Sequence, residues 1–539
     1  MGVGLKFDAE RYIYPSRRSV VFGAKGMVAT GNPLAAQAGL EILKKGGNAV
    51  DAAVATAACL TVTEPTANGI GGDLFALVWA HGKLHGLNCS GLSPKAANLK
   101  TINDAGFKEM PKLGWYSVTV PGVPGGWAAL SEKFGKLPLT DVLAPAITYA
   151  ADGYPVAPAV SKLWRAAFVG YSKEKGDEFR HWFDTFCPDG RAPEAGEIWC
   201  SKCHAKTLSL IAESKAEAFY RGALSEKIDA FSKKHGAWLR AGDLAEFKPE
   251  WVDPITVNYR GYDVWEIPPN GHGITALMAL NILKGFDLSE ARENEKTYHI
   301  MIEAMKLAFI DATEHVADPR FMKYTTQELL ATAYADERRK LIGETALLPA
   351  PGTPPKGGTV YLAAADEAGN MVSLIQSNYT GFGSGLVVPD TGISLHNRGN
   401  NFSLDPTSPN VLAPSKKPYH TIIPGFLSKD GSAVGPFGVM GAFMQPQGHV
   451  QVVTNMIDFG MNPQEALDAP RWQWTKGKNI QVEQGVSNSI ALSLAARGHD
   501  LQMMPDSTTF GRGEIIVRTP HGTLAGGTEP RTDGLVAAW

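Results

Sequence analysis

The stretch PPKGGTVYLAAADEAGNMVSLIQSNYTGFGSG, residues 354–385, decides how the chain is read. A proline- and glycine-rich loop runs straight into a strand pattern whose first residue is Thr359. The run 359–366, the turn Glu367-Ala368-Gly369-Asn370 and the apolar run 371–376 predict a β-hairpin. Threonine is a good strand former, and most strand-opening threonines do nothing else. The alternative reading is that the two glycines before it permit an unusual backbone from which the Thr359 hydroxyl can attack the carbonyl of Gly358. The peptide bond then shifts to an ester that water cleaves, and the new chain begins at Thr359. Its free α-amine, with a reference pKa of about 7.7–8.0, lies within reach of its own hydroxyl. One residue then supplies nucleophile and base.

Outward from this junction, residues 346–358 (ALLPAPGTPPKGG) form the most linker-like segment of the chain. Residues 33–62 read as two alanine-rich helices broken at Gly46-Gly47, with Asn48 and Asp51 near the start of the second. The stretch 69–89 alternates as a strand hairpin turning at His81-Gly82. Residues from about 160 to 345 are mostly helical in pattern, including SLIAESKAEAFY and ELLATAYADERRKLI, with a short β-like stretch around VNYRGYDVWEI. Beyond Thr359 strand patterns dominate, among them HTIIPGFL, SAVGPFGVMG and EIIVRTPHGTLAGG. Hairpins rather than βαβ units surround Thr359, which predicts an α/β sandwich of antiparallel sheets covered by helices.

The 539 residues exceed the size at which one core usually stops growing. A hydrophobic fraction of 44%, a charged fraction of 19% and a net charge of −3 describe an ordinary globular chain. No lysine- or arginine-dense run indicates nucleic acid or an anionic membrane. The first residues lack the apolar core of a secretory signal and no segment has the length of a membrane span, so a cytoplasmic location is expected. Five cysteines, few and odd in number, suit a reducing compartment. Cys200-Ser201-Lys202-Cys203-His204 matches the C-x-x-C-H pattern of haem attachment. That chemistry belongs to exported chains, and a zinc site lacks a second C-x-x-C, although Cys187 and His204 are available to the pair. An incidental pair is therefore expected. The G-x-S-x-G elbow, H-E-x-x-H and the phosphate-binding G-x-x-x-x-G-K-[ST] are all absent. The glycine-rich 381–385 lacks the helix and acidic residue of a dinucleotide site.

The sequence resembles the γ-glutamyltransferase family of N-terminal nucleophile hydrolases along nearly its whole length. The blocks that carry the likeness are 26–78 (GMVATGNPLAAQAGLEILKKGGNAVDAAVATAACLTVTEPTANGIGGDLFALV), VPGVPGGW at 120–127, VADPRF at 316–321, GGT at 357–359, DEAGNMVS, FGSG and the closing GGTEPRTDG, all in the family's order. The resemblance implies a precursor cut between Gly358 and Thr359. A helix-rich large subunit (1–358) and a small subunit (359–539) would then share one four-layer αββα sandwich. It also implies acyl transfer from a small-molecule amide through Thr359 to water or an amine acceptor, without metal or cofactor; a higher oligomer is left open. Backbone amides at Gly441 and Ala442 correspond to the family's oxyanion-binding glycine pair.

The acyl pocket departs from the family's pattern. Ser90 stands where γ-glutamyl-specific members carry the arginine for the substrate α-carboxylate, and Asn401 where they carry the acidic partner of the α-amino group. His420-Thr421 replaces a serine pair. Charge-assisted hydrogen bonds are roughly twice as strong as neutral ones, so these changes weaken γ-glutamyl recognition. Arg398 is either a carboxylate contact from another side or a surface arginine. Ser377 and Asn378 correspond to the segment that supports the nucleophile. The leading expectation is a γ-glutamyltransferase-like hydrolase or acyltransferase. The rivals are an acylase for another carboxylated acyl group, of the glutaryl type, and an unprocessed, inactive relative.

Overall fold

A computed structural model describes residues 17–288, 291–348 and 358–539. The first sixteen residues, residues 289–290, and residues 349–357 of the linker-like segment, Gly357 among them, lie outside the described residues. The predicted hairpin sits at the middle of a seven-stranded antiparallel sheet. Its strands β1 (Gly26–Thr30), β2 (Asp73–Ala80), β3 (Lys83–Cys89), β4 (Gly358–Asp366) and β5 (Met371–Tyr379) run in the spatial order β1-β4-β5-β2-β3. Leu535–Ala538 and Glu250–Val252 complete the two edges. The β2–β3 hairpin turns on His81 (φ 53) and Gly82 (φ 74), the doubly left-handed geometry of a two-residue turn that matches strand twist.

A second seven-stranded sheet contains β6 (Gly425–Lys429), β7 (Ser432–Met440) and β8 (Arg512–Arg518), with Leu524–Thr528 beyond β8 and Tyr262–Glu266 beyond β6. All its pairings are antiparallel. The sheets face each other through Phe75, Tyr361, Ile375, Phe426, Met440 and Ile516. Along β4, Tyr361, Ala363 and Ala365 point to this interface, whereas Val360, Leu362 and Ala364 pack beneath the helical layer. Burial on both faces explains why the strand reads as a continuous apolar run.

Helices α1 (Pro33–Lys44) and α2 (Ala49–Thr63) cover the outer face of the first sheet; every residue of α2 is buried. Asn48 and Asp51 form the reciprocal cap that starts α2. Helices α3 (Gly273–Leu283), α4 (Glu295–His315) and α5 (Met444–Ile457) build the opposite layer. The expected αββα sandwich is thus present. No helix among the described residues is long and apolar enough to cross a membrane.

Three predicted elements differ. The helix over 209–220 is broken between Ser214 and Glu217, where Lys215 and Ala216 adopt φ of 50° and 69°. The helix over 328–342 divides into Thr326–Leu329 and Thr332–Arg339. The strand over 420–427 begins only at Gly425, because Pro424 has no N–H for a ladder. The irregular residues before it supply side chains to the site.

Candidate active site

Thr359 is fully buried at the start of β4, and its Oγ1 lies 3.0 Å from Ser377 Oγ. The β4–β5 ladder pairs Gly358 with Tyr379 and Val360 with Gln376, so Ser377 and Asn378 together oppose the single residue Thr359. This β-bulge re-aims side chains next to the nucleophile. Tyr379, which closes it, has φ 76°, and its N–H donates to Ser377 Oγ at 2.7 Å. The glycine run 69–72 fits against the bulge. A Cβ on Gly72 would sit 2.7 Å from the Ser377 carbonyl oxygen, closer than any side chain tolerates.

Across β5, Ser377 is in register with Asp73 of β2, and Ser90 follows the Leu74–Cys89 pair of the next strand. Thr359, Ser377, Asp73 and Ser90 therefore lie along one row at the end of the sheet. Asp73 Oδ2 accepts a hydrogen bond from His420 Nε2 at 2.9 Å and lies 3.6 Å from His396 Nδ1. Asp73 Oδ1 has no partner among the described residues. Burial pushes the Asp73 carboxyl up to about 7, against the attraction of the Arg398 guanidinium. Burial also holds His396 down at about 3 and His420 well below its ordinary range.

Arg398 is fully buried, which excludes the surface-arginine alternative. Its Nη1 donates to Thr421 Oγ1 at 2.6 Å and its guanidinium lies 4.3 Å from the centre of the Tyr379 ring. Nε and Nη2 have no partner among the described residues. Burial lowers its pKa to about 10, opposed by Asp73. The guanidinium thus remains a cation at neutral pH. Two unused, buried donors in a planar fork match the geometry of a carboxylate.

The other expected residues divide. Ser90 is buried in a neutral network, donating to Asn88 Oδ1 at 2.7 Å and accepting from Asn270 Nδ2 at 3.2 Å. Asn401 donates to the Tyr419 carbonyl at 2.9 Å and so braces the loop. Asn378 points away from Thr359 toward Gly69 and Ser394, so Ser377 alone of the two touches the nucleophile. Gly441 (φ 137) and Ala442 (φ 52) follow the last β7–β8 pair, Met440 with Arg512, which leaves both residues beyond the ladder. The facing sheets meet nearby, where Gly438 packs under the Tyr361 ring. A cavity of about 1050 Å³ opens beside Gly441 and is lined also by Thr380, Phe443, Trp474, Gln473 and Gln481; Thr359 is not in its lining.

Sequence reasoning missed Asp73, His396, Tyr379 and Asn270. Asp73 was legible as a lone carboxylate heading an otherwise apolar strand, DLFALVWA. The conformation of Tyr379 left no sequence signal. His204 of the C-x-x-C-H motif is buried, bonded through Nδ1 to Ser201 Oγ and packed on Phe186 and Trp199. Cys200 is exposed and Cys203 partly so. Among the described residues, the one group of metal-ligating atoms that converges is His299, Glu303 and His499. There Lys306 Nζ, 2.7 Å from Glu303 Oε1, already supplies a cation.

The family model described as gamma-glutamyltranspeptidase matches residues 35–539. The glutathione hydrolase-like YwrD proenzyme of Bacillus subtilis is 37% identical over 95% of this chain and 98% of its own. The acylase ACY 1 proenzyme of Pseudomonas sp. strain V22 is 34% identical over 96% of this chain and 94% of its own. The crystal structure of cephalosporin acylase from Bacillus halodurans is 59% identical and superposes with a TM-score of 0.96, covering 99% of both chains. Relatives that carry glutathione hydrolase and acylase names share the proenzyme character and the amide-cleaving chemistry. The chain therefore belongs to the gamma-glutamyltranspeptidase family of N-terminal nucleophile hydrolases, a family of amide hydrolases and acyltransferases made as proenzymes.

Proposed function

We propose that this protein is a self-processing acylase for amides of short acyl groups that end in a carboxylate, of the glutaryl type. The observation that carries the proposal is Arg398, buried beside the bulge with Nε and Nη2 unpaired. A buried cation with unused donors is costly unless an anion completes it.

In the first event, Thr359 Oγ1 attacks the Gly358 carbonyl and the acyl group moves from nitrogen to oxygen. Hydrolysis of that ester separates residues 1–358 from 359–539. Ser377 holds Oγ1 in place and can receive or return its proton through the 3.0 Å contact. The freed Thr359 amine then serves as base for each turnover. The amide substrate places its carboxylate on Arg398 and its carbonyl oxygen toward the Gly441 and Ala442 amides. Its amine leaves toward the 1050 Å³ cavity. Water, or a second amine, releases the acyl group from Thr359.

A second assignment is favoured by one observation, the unpartnered Oδ1 of Asp73. A γ-glutamyl donor would set its α-ammonium there and its α-carboxylate on Arg398. Paired anilides separate the two. Glutaryl p-nitroanilide turning over with a higher kcat/KM than γ-glutamyl p-nitroanilide supports the acylase, and the reverse order overturns it. Arg398→Gln should raise KM for the preferred substrate by roughly ten- to a hundredfold, the loss expected of a charge-assisted contact.

A further inference from the structure

The site contains one buried cation, Arg398, and one buried carboxylate, Asp73, that act on each other electrostatically. Asp73 is fully buried and stands across the sheet from Ser377, whose hydroxyl touches the nucleophile. Its Oδ2 is held by His420, the neighbour of the Thr421 that binds Arg398, and its Oδ1 is unpartnered. Asp73 and Arg398 attract each other electrostatically, so the empty pocket is balanced. A carboxylate entering to reach Arg398 places two buried anions against one cation. Two carboxylates that share a dry site do not both stay ionised, and a buried group that loses its balance neutralises rather than remain charged.

We propose that Asp73 is a specificity-determining residue which takes up one proton from solvent as the acyl carboxylate binds Arg398. The proposal rests on Arg398 being the anchor of that carboxylate. The empty pocket is balanced by Asp73 and the occupied one by the substrate; no substrate bond changes in the step. An acyl group that brings its own ammonium would keep Asp73 ionised and take up no proton. The pocket therefore distinguishes ω-carboxyacyl groups from α-amino acids by proton linkage.

Among the side chains facing Asp73 no other titrates near neutrality; the Thr359 amine freed by processing does, and because it serves both acyl substrates alike its effect cancels in the comparison of the two. The side chains facing Asp73 are Arg398 and His396 on the 396–401 loop, Lys417 and His420 on the segment before β6, Cys89 at the end of β3, and Tyr220. Both histidines are held neutral by burial, and burial pushes the Cys89 thiol and the Tyr220 phenol up. Lys417 is paired with Glu250 at 2.6 Å. The Asp73 carboxyl, at about 7, is thus ionised above neutrality and protonated below it.

The test measures KM against pH for the processed enzyme with glutaryl p-nitroanilide and with butyryl p-nitroanilide. The glutaryl KM should be flat below about pH 7 and rise by up to about tenfold per unit above it, while the butyryl KM stays flat. Asp73→Asn should abolish the slope for the glutaryl substrate. Should that variant not fold, calorimetric titration of the processed wild type with glutarate, in two buffers of different ionisation enthalpy, reads the same linkage. Uptake of about one proton per site at about pH 8, falling away below about pH 6, is expected. A flat glutaryl KM, or binding without proton uptake, overturns the proposal. If Arg398→Gln still raises the glutaryl KM in that case, the anchor stands and the linkage alone fails. If Arg398→Gln leaves both substrates unaffected, or no glutaryl turnover is found, the anchor fails and the linkage with it.

Discussion

The Ser377 hydroxyl lies 3.0 Å from the Thr359 hydroxyl, at the edge of a bulge that sets two residues of β5 against one of β4. The same serine accepts the Tyr379 N–H, so its oxygen is fixed by the local backbone. The regular register, Tyr361 with Ile375 and Val360 with Gln376, continues to Thr359 opposite Ser377, so the two hydroxyls share a face, and the bulge accommodates the extra residue Asn378.

Ser377→Ala should therefore slow both self-cleavage and turnover by roughly ten- to a hundredfold, the rate equivalent of ~1–3 kcal/mol of lost hydrogen bonding. Ser377→Thr, which keeps the hydroxyl, should recover most of the loss. The rate at which the full-length band disappears on denaturing gels checks the first effect and anilide hydrolysis the second.

Thr421 is the acceptor seen for Arg398, at 2.6 Å. Thr421→Val preserves shape and removes that acceptor. The expected outcome is a KM for carboxylated acyl substrates raised about tenfold. The kcat should change little, since the contact positions the anchor and not the reacting atoms. Steady-state kinetics of the processed variant decide it.

Ala442 adopts φ 52° in the candidate oxyanion corner, a conformation that strains any residue with a Cβ by about 1 kcal/mol. Ala442→Gly relieves the strain and keeps the backbone donor. It should leave self-cleavage intact and raise the thermal midpoint by roughly 1–2 °C, as read by scanning calorimetry. A fall in the midpoint with lost cleavage would show that the alanine methyl does more.

Much of this was legible in sequence and some was not. The α1–α2 break, the capping pair Asn48 and Asp51 and the two hairpins follow from short-range signals, namely glycine pairs, caps and apolar runs, whereas the layer order came from the family resemblance. Thr359 was legible as the residue that opens the hairpin after two glycines, and Ser377 through the family resemblance of its segment. The partnership of Asp73, Arg398 and His420 was not, since it joins residues more than three hundred positions apart through sheet register and an irregular loop. Arg398 had no periodicity to mark it as buried. It lies buried against the Tyr379 ring, at the end of the bulge.

A buried network precedes the cleavage loop and makes a separate prediction. His499 Nε2 lies 2.9 Å from His299 Nδ1, His299 Nε2 reaches the Gly343 carbonyl, and Lys306 reaches Glu303 and the Leu347 carbonyl. Burial lowers His499 to about 3. A histidine depressed in the folded state binds fewer protons than in the unfolded chain, so its contribution is present above about pH 6.5 and is lost as pH falls below it. Asp73 and Glu64, both raised by burial to about 7, act in the opposite sense, so the histidine effect is read as a difference. The gap in urea midpoint between wild type and His499→Gln should narrow as pH falls from about 6.5 to about 4. Parallel curves would contradict this assignment.

The most direct measurement is N-terminal sequencing and intact-mass analysis of the purified chain after prolonged incubation, beside Thr359→Ala. Two fragments are expected, comprising residues 1–358 and 359–539, the smaller beginning Thr359-Val360-Tyr361, with amide hydrolysis appearing as they form. Thr359→Ala should stay at the full 57.7 kDa and hydrolyse nothing. A wild-type chain that stays whole yet hydrolyses amides, a fragment beginning elsewhere, or cleavage of Thr359→Ala at the same bond would each contradict Thr359 as the residue that cuts and then catalyses.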